Sequence, residues 1–214
     1  MQPRTEKMVD ALDRALIASA ENISGIDTDS SVLIACDTSG SMMQSLSQKS
    51  KIEMYHVGLV LAMLLNHRCK NAITGIFGDE WLTVDLKKES ILRNIDNLNA
   101  LEGRVGYSTN GYKVIDWLIG EREKVEKVMI FTDCQMWNSR WNGNTLVKSW
   151  HIYKQFNPSA KLYLFDLAGY GSTPISIAER DVYLIAGWSD KVFDVLAAIE
   201  DGETALAKIN GVAV

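Results

Sequence analysis

The stretch SVLIACDTSGS, residues 31–41, joins a short apolar run to a polar turn. An apolar run of this length that ends in Asp37 is typical of a strand buried on both faces, as in a parallel sheet. A second run of this kind, KVMIFTD at residues 127–133, also ends in an aspartate, Asp133. In open α/β sheets, ligands bind beyond the carboxyl ends of the strands, where the strand order reverses. If the two strands are neighbours at that point, both carboxylates converge on one spot.

Helical and strand-like patterns alternate along the rest of the chain. Apolar residues at helical spacing predict helices at residues 5–22, 52–69, 89–98, 110–119, 145–156 and 190–199. Further strands are predicted at residues 72–78 and 81–86, which form a hairpin, and at residues 161–167 and 181–187. The alternation predicts an α/β, Rossmann-like fold: a doubly wound, mainly parallel central sheet with helices on both faces. We interpret residues 1–214 as one domain, with an N-terminal helix extension at 1–24 and a core at 31–200.

Composition and charge exclude several classes of protein. The 214 residues are 47% hydrophobic and 23% charged and carry a formal net charge of -5, which is ordinary for a globular domain. A general polyanion binder needs clustered Lys and Arg, so direct RNA binding is not expected. The charged start MQPRTEKMVD lacks the apolar run of a signal peptide, and no apolar stretch approaches the length of a membrane span. We expect a cytoplasmic protein with no membrane partner.

Asp37, Ser39 and Ser41 form a D-x-S-x-S string directly after the first strand. Hydroxyls, carboxylates and water suit Mg²⁺, Mn²⁺ or Ca²⁺, whereas zinc prefers His and Cys. Neutral hydroxyl ligands leave the charge of such an ion under-compensated, so it can accept a further carboxylate from a partner. The string alone is a weak signal, because the same residues can form an Asx or Ser turn that caps the next helix.

The chain resembles von Willebrand factor A domains that carry a metal-ion-dependent adhesion site. The resemblance rests on DTSGSM after the first strand, on STN at residues 108–110 before a helix, and on FTD at the end of a strand. In that family the serines and the threonine coordinate the metal directly, and the aspartates often act through water. The resemblance implies one divalent cation, with Mg²⁺ favoured and Mn²⁺ or Ca²⁺ as alternatives. It implies a metal site formed by Asp37, Ser39, Ser41, Thr109 and Asp133.

A narrower resemblance connects the chain with the A domain of TROVE-module proteins, the Ro autoantigen type. It rests on the leading helix and on VLIACDTSGSM, GYSTNG, IFTDCQMW and IAGWSDKVFDVLAAI, which together span nearly all of the chain. In those proteins a ring of helical repeats precedes the A domain and binds small non-coding RNAs. These 214 residues contain no such ring, so the chain is expected to be either an excised domain or a shorter relative.

Three hypotheses for the function follow. The first is cation-dependent binding of a protein partner that supplies Asp or Glu to the metal. The second is the protein-contacting domain of a TROVE-type RNA-protein scaffold, with RNA as an indirect partner. The third is a serine hydrolase, because Ser41, Asp133 and His151 follow the chain order of an α/β-hydrolase triad. The nucleophile motif G-x-S-x-G is absent, and a carboxylate at Asp37 would repel an oxyanion, so we expect no enzyme.

Two further pairs of residues leave alternatives open. Trp137 and Trp141 follow Asp133 in the chain and either anchor a long loop or form an aromatic contact surface for a partner. Cys36 and Cys134 flank the two site aspartates. They either approach one another or are small buried core residues, and the second interpretation is favoured.

Overall fold

The computed structural model describes residues 3–23, 26–136, 145–171, 173–189 and 191–202. The helices are α1 (Pro3–Glu21), α2 (Met54–Arg68), α3 (Ile91–Asn99), α4 (Tyr112–Gly120), α5 (Leu146–Phe156) and α6 (Lys191–Glu200). The strands are β1 (Ser31–Asp37), β2 (Asn71–Phe77), β3 (Trp81–Thr83), β4 (Lys127–Thr132), β5 (Lys161–Asp166) and β6 (Val182–Ala186). A short 3₁₀ turn at Gly40–Met43, which the sequence patterns did not predict, follows β1.

The six strands form one sheet in the order β3-β2-β1-β4-β5-β6. All neighbours pair in parallel except β2 and β3, which form the expected antiparallel hairpin. The chain builds the sheet from β1 toward β3 and then returns to place β4 on the other side of β1. The predicted doubly wound sheet is therefore confirmed. Its strand order reverses between β1 and β4, so the two apolar strands that end in or before an aspartate are neighbours at that point.

Apolar side chains bury both faces of the sheet. Helices α1, α2, α3 and α6 contribute to the core on one face, and α4 and α5 cover the other. Successive residues of β1 alternate between the two cores, as the pleat of a strand requires. Cys36 belongs to the first core and Cys134 to the second. Since the sheet lies between the two cores, the two thiols do not approach one another. Both cysteines are buried core residues, which is the favoured interpretation.

Side-chain caps set the starts of the helices more sharply than apolar periodicity does. Helix α2 begins at Met54 because Glu53 and His56 form a reciprocal capping box, in which the Glu53 amide donates to His56 Nδ1 at 3.1 Å. Helix α3 begins at Ile91 because the Ser90 hydroxyl accepts a hydrogen bond from the Arg93 amide at 3.1 Å. These caps move each start two residues beyond the boundary expected from the sequence.

Helix α1 packs against α2 and α3. Its residue Ala20 is fully buried, and its Asp13 carboxylate accepts a hydrogen bond from the Leu92 amide in the first turn of α3 at 2.9 Å. The helix therefore contributes both apolar contacts and a cap to the neighbouring helix. Among the residues described, no helix has the length and apolar character needed to cross a membrane.

Candidate metal centre

Two aspartates lie side by side where the strand order reverses. Asp37 is the last residue of β1, and Asp133 directly follows the adjacent, parallel strand β4. Both side chains are almost fully buried, with 1% and 2% of their residue surface exposed. The structure therefore brings together the two carboxylates that the sequence placed at neighbouring strand ends.

Hydrogen bonds fix the orientation of the Asp37 carboxylate. Its Oδ1 accepts from the Ser39 amide at 2.8 Å, and its Oδ2 accepts from the Thr132 hydroxyl at 2.6 Å. Thr132 is the last residue of β4 and also accepts a hydrogen bond from the Cys134 amide. Sequence analysis did not identify Thr132 as a site residue. The available signal was its position next to Asp133, in a strand that runs beside the one ending at Asp37.

The two serines of the D-x-S-x-S string converge. Their Oγ atoms are 3.2 Å apart. Ser39 is fully buried, whereas Ser41 is partly exposed and lies in the 3₁₀ turn. Ser41 therefore marks the side from which solvent or a partner can reach the cluster.

The loop that carries Thr109 is hydrogen-bonded to the serine turn. The Gly40 amide donates to the Tyr107 carbonyl oxygen at 2.9 Å, and the Asn110 amide donates to the Gly78 carbonyl oxygen at 3.0 Å. A Cβ atom on Gly78 would overlap the backbone of Gly106, so only glycine permits this approach. Thr109 itself is buried, with 2% of its surface exposed. Its loop thus closes over the strand ends beside the serines.

The buried carboxylates are not neutralised by the protein. Burial raises the pKa of Asp37 to about 7, hydrogen bonds from Thr132 and Ser39 oppose that rise, and the charge of Asp133 adds to it. Burial also raises the pKa of the Cys134 thiol, and the charges of Asp166, Asp133 and Asp37 raise it further. Within the described ranges, no basic side chain forms an ion pair with any of these three aspartates.

Asp166 is a third buried aspartate at this edge that sequence analysis did not single out. It ends β5 and is fully buried, and its two carboxylate oxygens accept from the Gly169 and Gly171 amides at 2.9 Å each. These bonds hold the loop that follows β5. The available signal was that KLYLFD, like the runs ending at Asp37 and Asp133, is an apolar strand that ends in Asp.

The residues of the hydrolase hypothesis make different contacts. His151 lies on α5, and its Nε2 atom is 2.7 Å from the Glu179 carboxylate. The Ser41 hydroxyl instead faces Ser39, and Asp133 Oδ1 accepts from the Gln135 amide at 3.0 Å. These contacts do not favour a triad. Trp137 and Trp141 lie outside the described residues.

The chemistry of the donor set fits a hard cation. No group of three or more His, Cys, Asp or Glu side chains placed to hold a metal occurs in the part of the chain that the structure describes. A metal here would depend on serine and threonine oxygens together with Asp37 and Asp133. Oxygen donors of this kind suit Mg²⁺, Mn²⁺ or Ca²⁺ and not zinc.

Comparisons with known proteins identify the fold and the family. The family model described as the Ro60 vWA domain matches residues 31–200. The crystal structure of the Deinococcus radiodurans RO (RSR) protein matches 92% of this chain with a TM-score of 0.71 and 19% sequence identity. The chain covers 39% of the length of that protein.

A second solved structure is an aerotolerance-related membrane protein from Bacteroides fragilis, with multiple mutations to serines. It matches 80% of this chain and 97% of its own, with a TM-score of 0.50 and 13% identity. At such identities the two structures show a common fold alone. A search of curated protein sequences finds no significant match. Since the family model covers most of the chain, the chain belongs to the family of Ro60-type von Willebrand factor A domains.

Proposed function

We propose that this domain binds one divalent cation between β1 and β4 and uses it to bind an acidic side chain of a partner protein. The observation that carries the proposal is the pair of buried aspartates, Asp37 and Asp133, beside two serine hydroxyls 3.2 Å apart. Burying carboxylates without a positive partner is costly, so such sites are paired or coordinate metals. Within the described ranges the protein supplies no such partner.

Ser39, Ser41, Thr109 and the two aspartates are the proposed ligands, with Mg²⁺ favoured and Mn²⁺ or Ca²⁺ as alternatives. Thr132 and the Ser39 amide hold the Asp37 carboxylate in one orientation. A divalent cation held mainly by neutral hydroxyls and water retains the capacity to accept an anionic oxygen. Ser41 lies at the partly exposed side of the cluster, which is where we expect an Asp or Glu of the partner to enter.

Titration calorimetry of the 214-residue chain with MgCl₂ and MnCl₂ tests the metal site. We expect one bound ion, no measurable binding to Asp37→Ala, and affinity reduced at least about tenfold by Ser41→Ala. Ser45→Ala is the matched control, because Ser45 is exposed, lies four residues further along the same connection and is outside the site. Unchanged affinity in Asp37→Ala would show that the ion binds elsewhere.

A second candidate function is the protein-contacting domain of a Ro-type RNA-protein scaffold. The observation that favours it is the family match, together with a solved relative in which the corresponding region is 39% of the chain. The two functions are compatible, because a metal-dependent contact could join such a domain to its partner. Both are binding functions, and a reducing, cytoplasmic location suits the three buried, unpaired cysteines.

The scaffold hypothesis predicts that these 214 residues bind RNA weakly, because their net charge is -5. We expect no shift of a short single-stranded RNA in a gel-shift series at physiological salt. Tight binding that weakens steeply with salt would place RNA contacts in this domain and contradict the expectation.

A further inference from the structure

Exposed aromatic side chains concentrate at the same edge of the sheet as the candidate metal centre. Among the described residues, those with large exposed aromatic surfaces are Tyr107, Tyr170 and Trp188, each 52% to 54% exposed. Tyr107 lies in the loop bonded to Gly40, Tyr170 lies in the loop after β5, and Trp188 follows the end of β6 by two residues. Aromatic residues are enriched where proteins bind partners, so this distribution indicates a contact surface.

Trp188 also lines an apolar groove beside this edge. The groove has a volume of about 490 Å³ and runs over the N-terminal half of α2 toward α3. Its apolar lining includes Leu46, Ile52, Val57, Leu61, Ile95 and Trp188. Ile52 and Trp188 are more than half exposed, so the groove presents apolar surface to solvent.

The ionisable residues of the groove are Lys51 and His56, and no acidic residue lines it. This absence is notable in a chain with 27 acidic and 22 basic residues. No ion pair engages Lys51 with any carboxylate that the structure describes. The Lys51 ammonium therefore gives the groove a positive charge that complements an acidic segment, while His56 Nδ1 accepts a hydrogen bond from the Glu53 amide. One lysine is too few to neutralise a nucleic-acid backbone.

The groove and the candidate metal centre share one connection of the chain. Residues 44–53 join the 3₁₀ turn that carries Ser41 to α2, and they fold back on themselves through the bond from the Leu46 amide to the Ile52 carbonyl oxygen, 3.0 Å. Leu46 is five residues from Ser41, so their Cα atoms are at most about 18 Å apart. One short peptide can therefore reach both places.

We propose that the groove binds a peptide segment of the same partner, which carries a large apolar side chain at a fixed distance from the acidic residue that meets the metal. The inference rests on the proposed metal-dependent function and adds the chemistry of the partner. The acidic residue provides the ion contact, and the apolar side chain enters the groove that Ile52 and Trp188 help to line. Together they select an acidic-apolar segment over an acidic segment alone.

Selection from a display library tests this inference. Random 12-residue peptides with a fixed central Asp are selected on the full chain in Mg²⁺, and the consensus peptide is titrated by fluorescence anisotropy. We expect a large apolar residue at a recurring spacing from the Asp. We also expect Trp188→Ala and Ile52→Ala each to weaken binding by about tenfold, with Mg²⁺ affinity unchanged by calorimetry. Ile177→Ala is the matched control, because Ile177 is 58% exposed, compared with 55% for Ile52, and precedes the amino end of β6.

The outcomes separate the two proposals. In one outcome, the peptides bind only with Mg²⁺ but bind Trp188→Ala and Ile52→Ala as tightly as the unmodified chain. That outcome would contradict peptide binding in the groove and would leave the proposed metal-dependent function intact. Absence of Mg²⁺ binding to the unmodified chain would overturn the metal function and this inference with it. A selection that enriches no peptide, or displacement of the peptide by single-stranded RNA at physiological salt, would also overturn the proposed occupant.

Discussion

The two ends of the central sheet handle buried charge in opposite ways. At the carboxyl end, Asp37, Asp133 and Asp166 are buried, and no described basic side chain pairs with them. At the amino end, Lys127 is also buried, but its ammonium lies 2.9 Å from the Ser30 hydroxyl and 3.3 Å from the Glu200 carboxylate. One end is balanced by the protein itself, and the other is left with unbalanced negative charge.

The amino-end cluster is a complete network. Glu200 accepts from Lys161 at 3.0 Å and from the Tyr163 hydroxyl, in addition to its contact with Lys127. Helix α6 ends at Glu200, so the network also attaches the end of this helix to the starts of β4 and β5. The comparison shows that the buried charges at the amino end are paired within the protein, whereas no described basic side chain pairs with the aspartates at the carboxyl end.

The largest expected effect comes from removing Glu200. In Glu200→Ala, the buried Lys127 loses its closest carboxylate, and breaking a buried pair in this way costs about 3 kcal/mol. Urea denaturation followed by circular dichroism measures the free energy of unfolding. The double variant Glu200→Ala with Lys127→Met should recover most of the loss, because the buried ammonium that loses its closest carboxylate is then also absent. A cost below about 1 kcal/mol for Glu200→Ala would mean that the network contributes little.

The second prediction concerns the carboxyl end of the sheet, where the buried aspartates lie. In chelator, Asp37→Asn should be more stable than the unmodified chain by on the order of 1 kcal/mol, because a buried charge beside Asp133 is removed. Adding Mg²⁺ at a hundred times its dissociation constant should stabilise the unmodified chain by about 2.7 kcal/mol and leave the variant unchanged. Thermal unfolding in the two buffers measures both effects. Equal responses of the two proteins to Mg²⁺ would contradict the assignment of Asp37.

The smallest expected effect is the loss, in acid, of the stability that Glu200 contributes at the amino end of the sheet. Burial raises the pKa of Glu200, but hydrogen bonds from Tyr163 and Lys161 and the charge of Lys127 outweigh it and hold the pKa below 4.5. A lowered pKa in the folded state means that the stabilisation is present above pH 4.5 and is lost as the pH falls through the folded value.

Melting temperatures of the unmodified chain and Glu200→Gln between pH 3 and pH 7 measure this loss. The difference between the two proteins should shrink below pH 4.5. Asp194→Asn is the control on the same helix, since Asp194 is 60% exposed and forms a surface ion pair with Lys191. A difference between the unmodified chain and Glu200→Gln that is constant with pH would show that the carboxylate acts by packing alone.

The parts of the structure that the sequence predicts are those with a local cause. Apolar runs located β1 and β4, and their terminal aspartates located the carboxyl edge. Whether these two strands are neighbours at the switch point does not follow from the sequence alone, and the strand order of the sheet shows that they are. The placement of Ser39 and Ser41 also has a local cause, since each lies two positions after the preceding member of the string.

The parts that sequence analysis missed depend on contacts between distant segments. The Thr132 hydroxyl acts on Asp37 across 95 residues, and the pairing of Lys127 with Glu200 joins β4 to α6. The groove combines the connection before α2 with α3 and with Trp188 after β6. No periodicity or motif in the sequence predicts these contacts between distant segments. The assignment of the five metal ligands remains a prediction for the titrations above.

The bond between Asp13 and the Leu92 amide has a practical consequence for anyone who trims the chain. The family match starts at residue 31, which invites removal of everything before it. A protein that starts at residue 31 would lack α1. It would therefore lose the cap on α3 and the helix that packs against both α2 and α3. The newly wetted apolar flank would favour self-association and give proteases access. Poor yield of such a shortened protein would then reflect the loss of helix α1 and not a defect in the loops of the candidate metal centre.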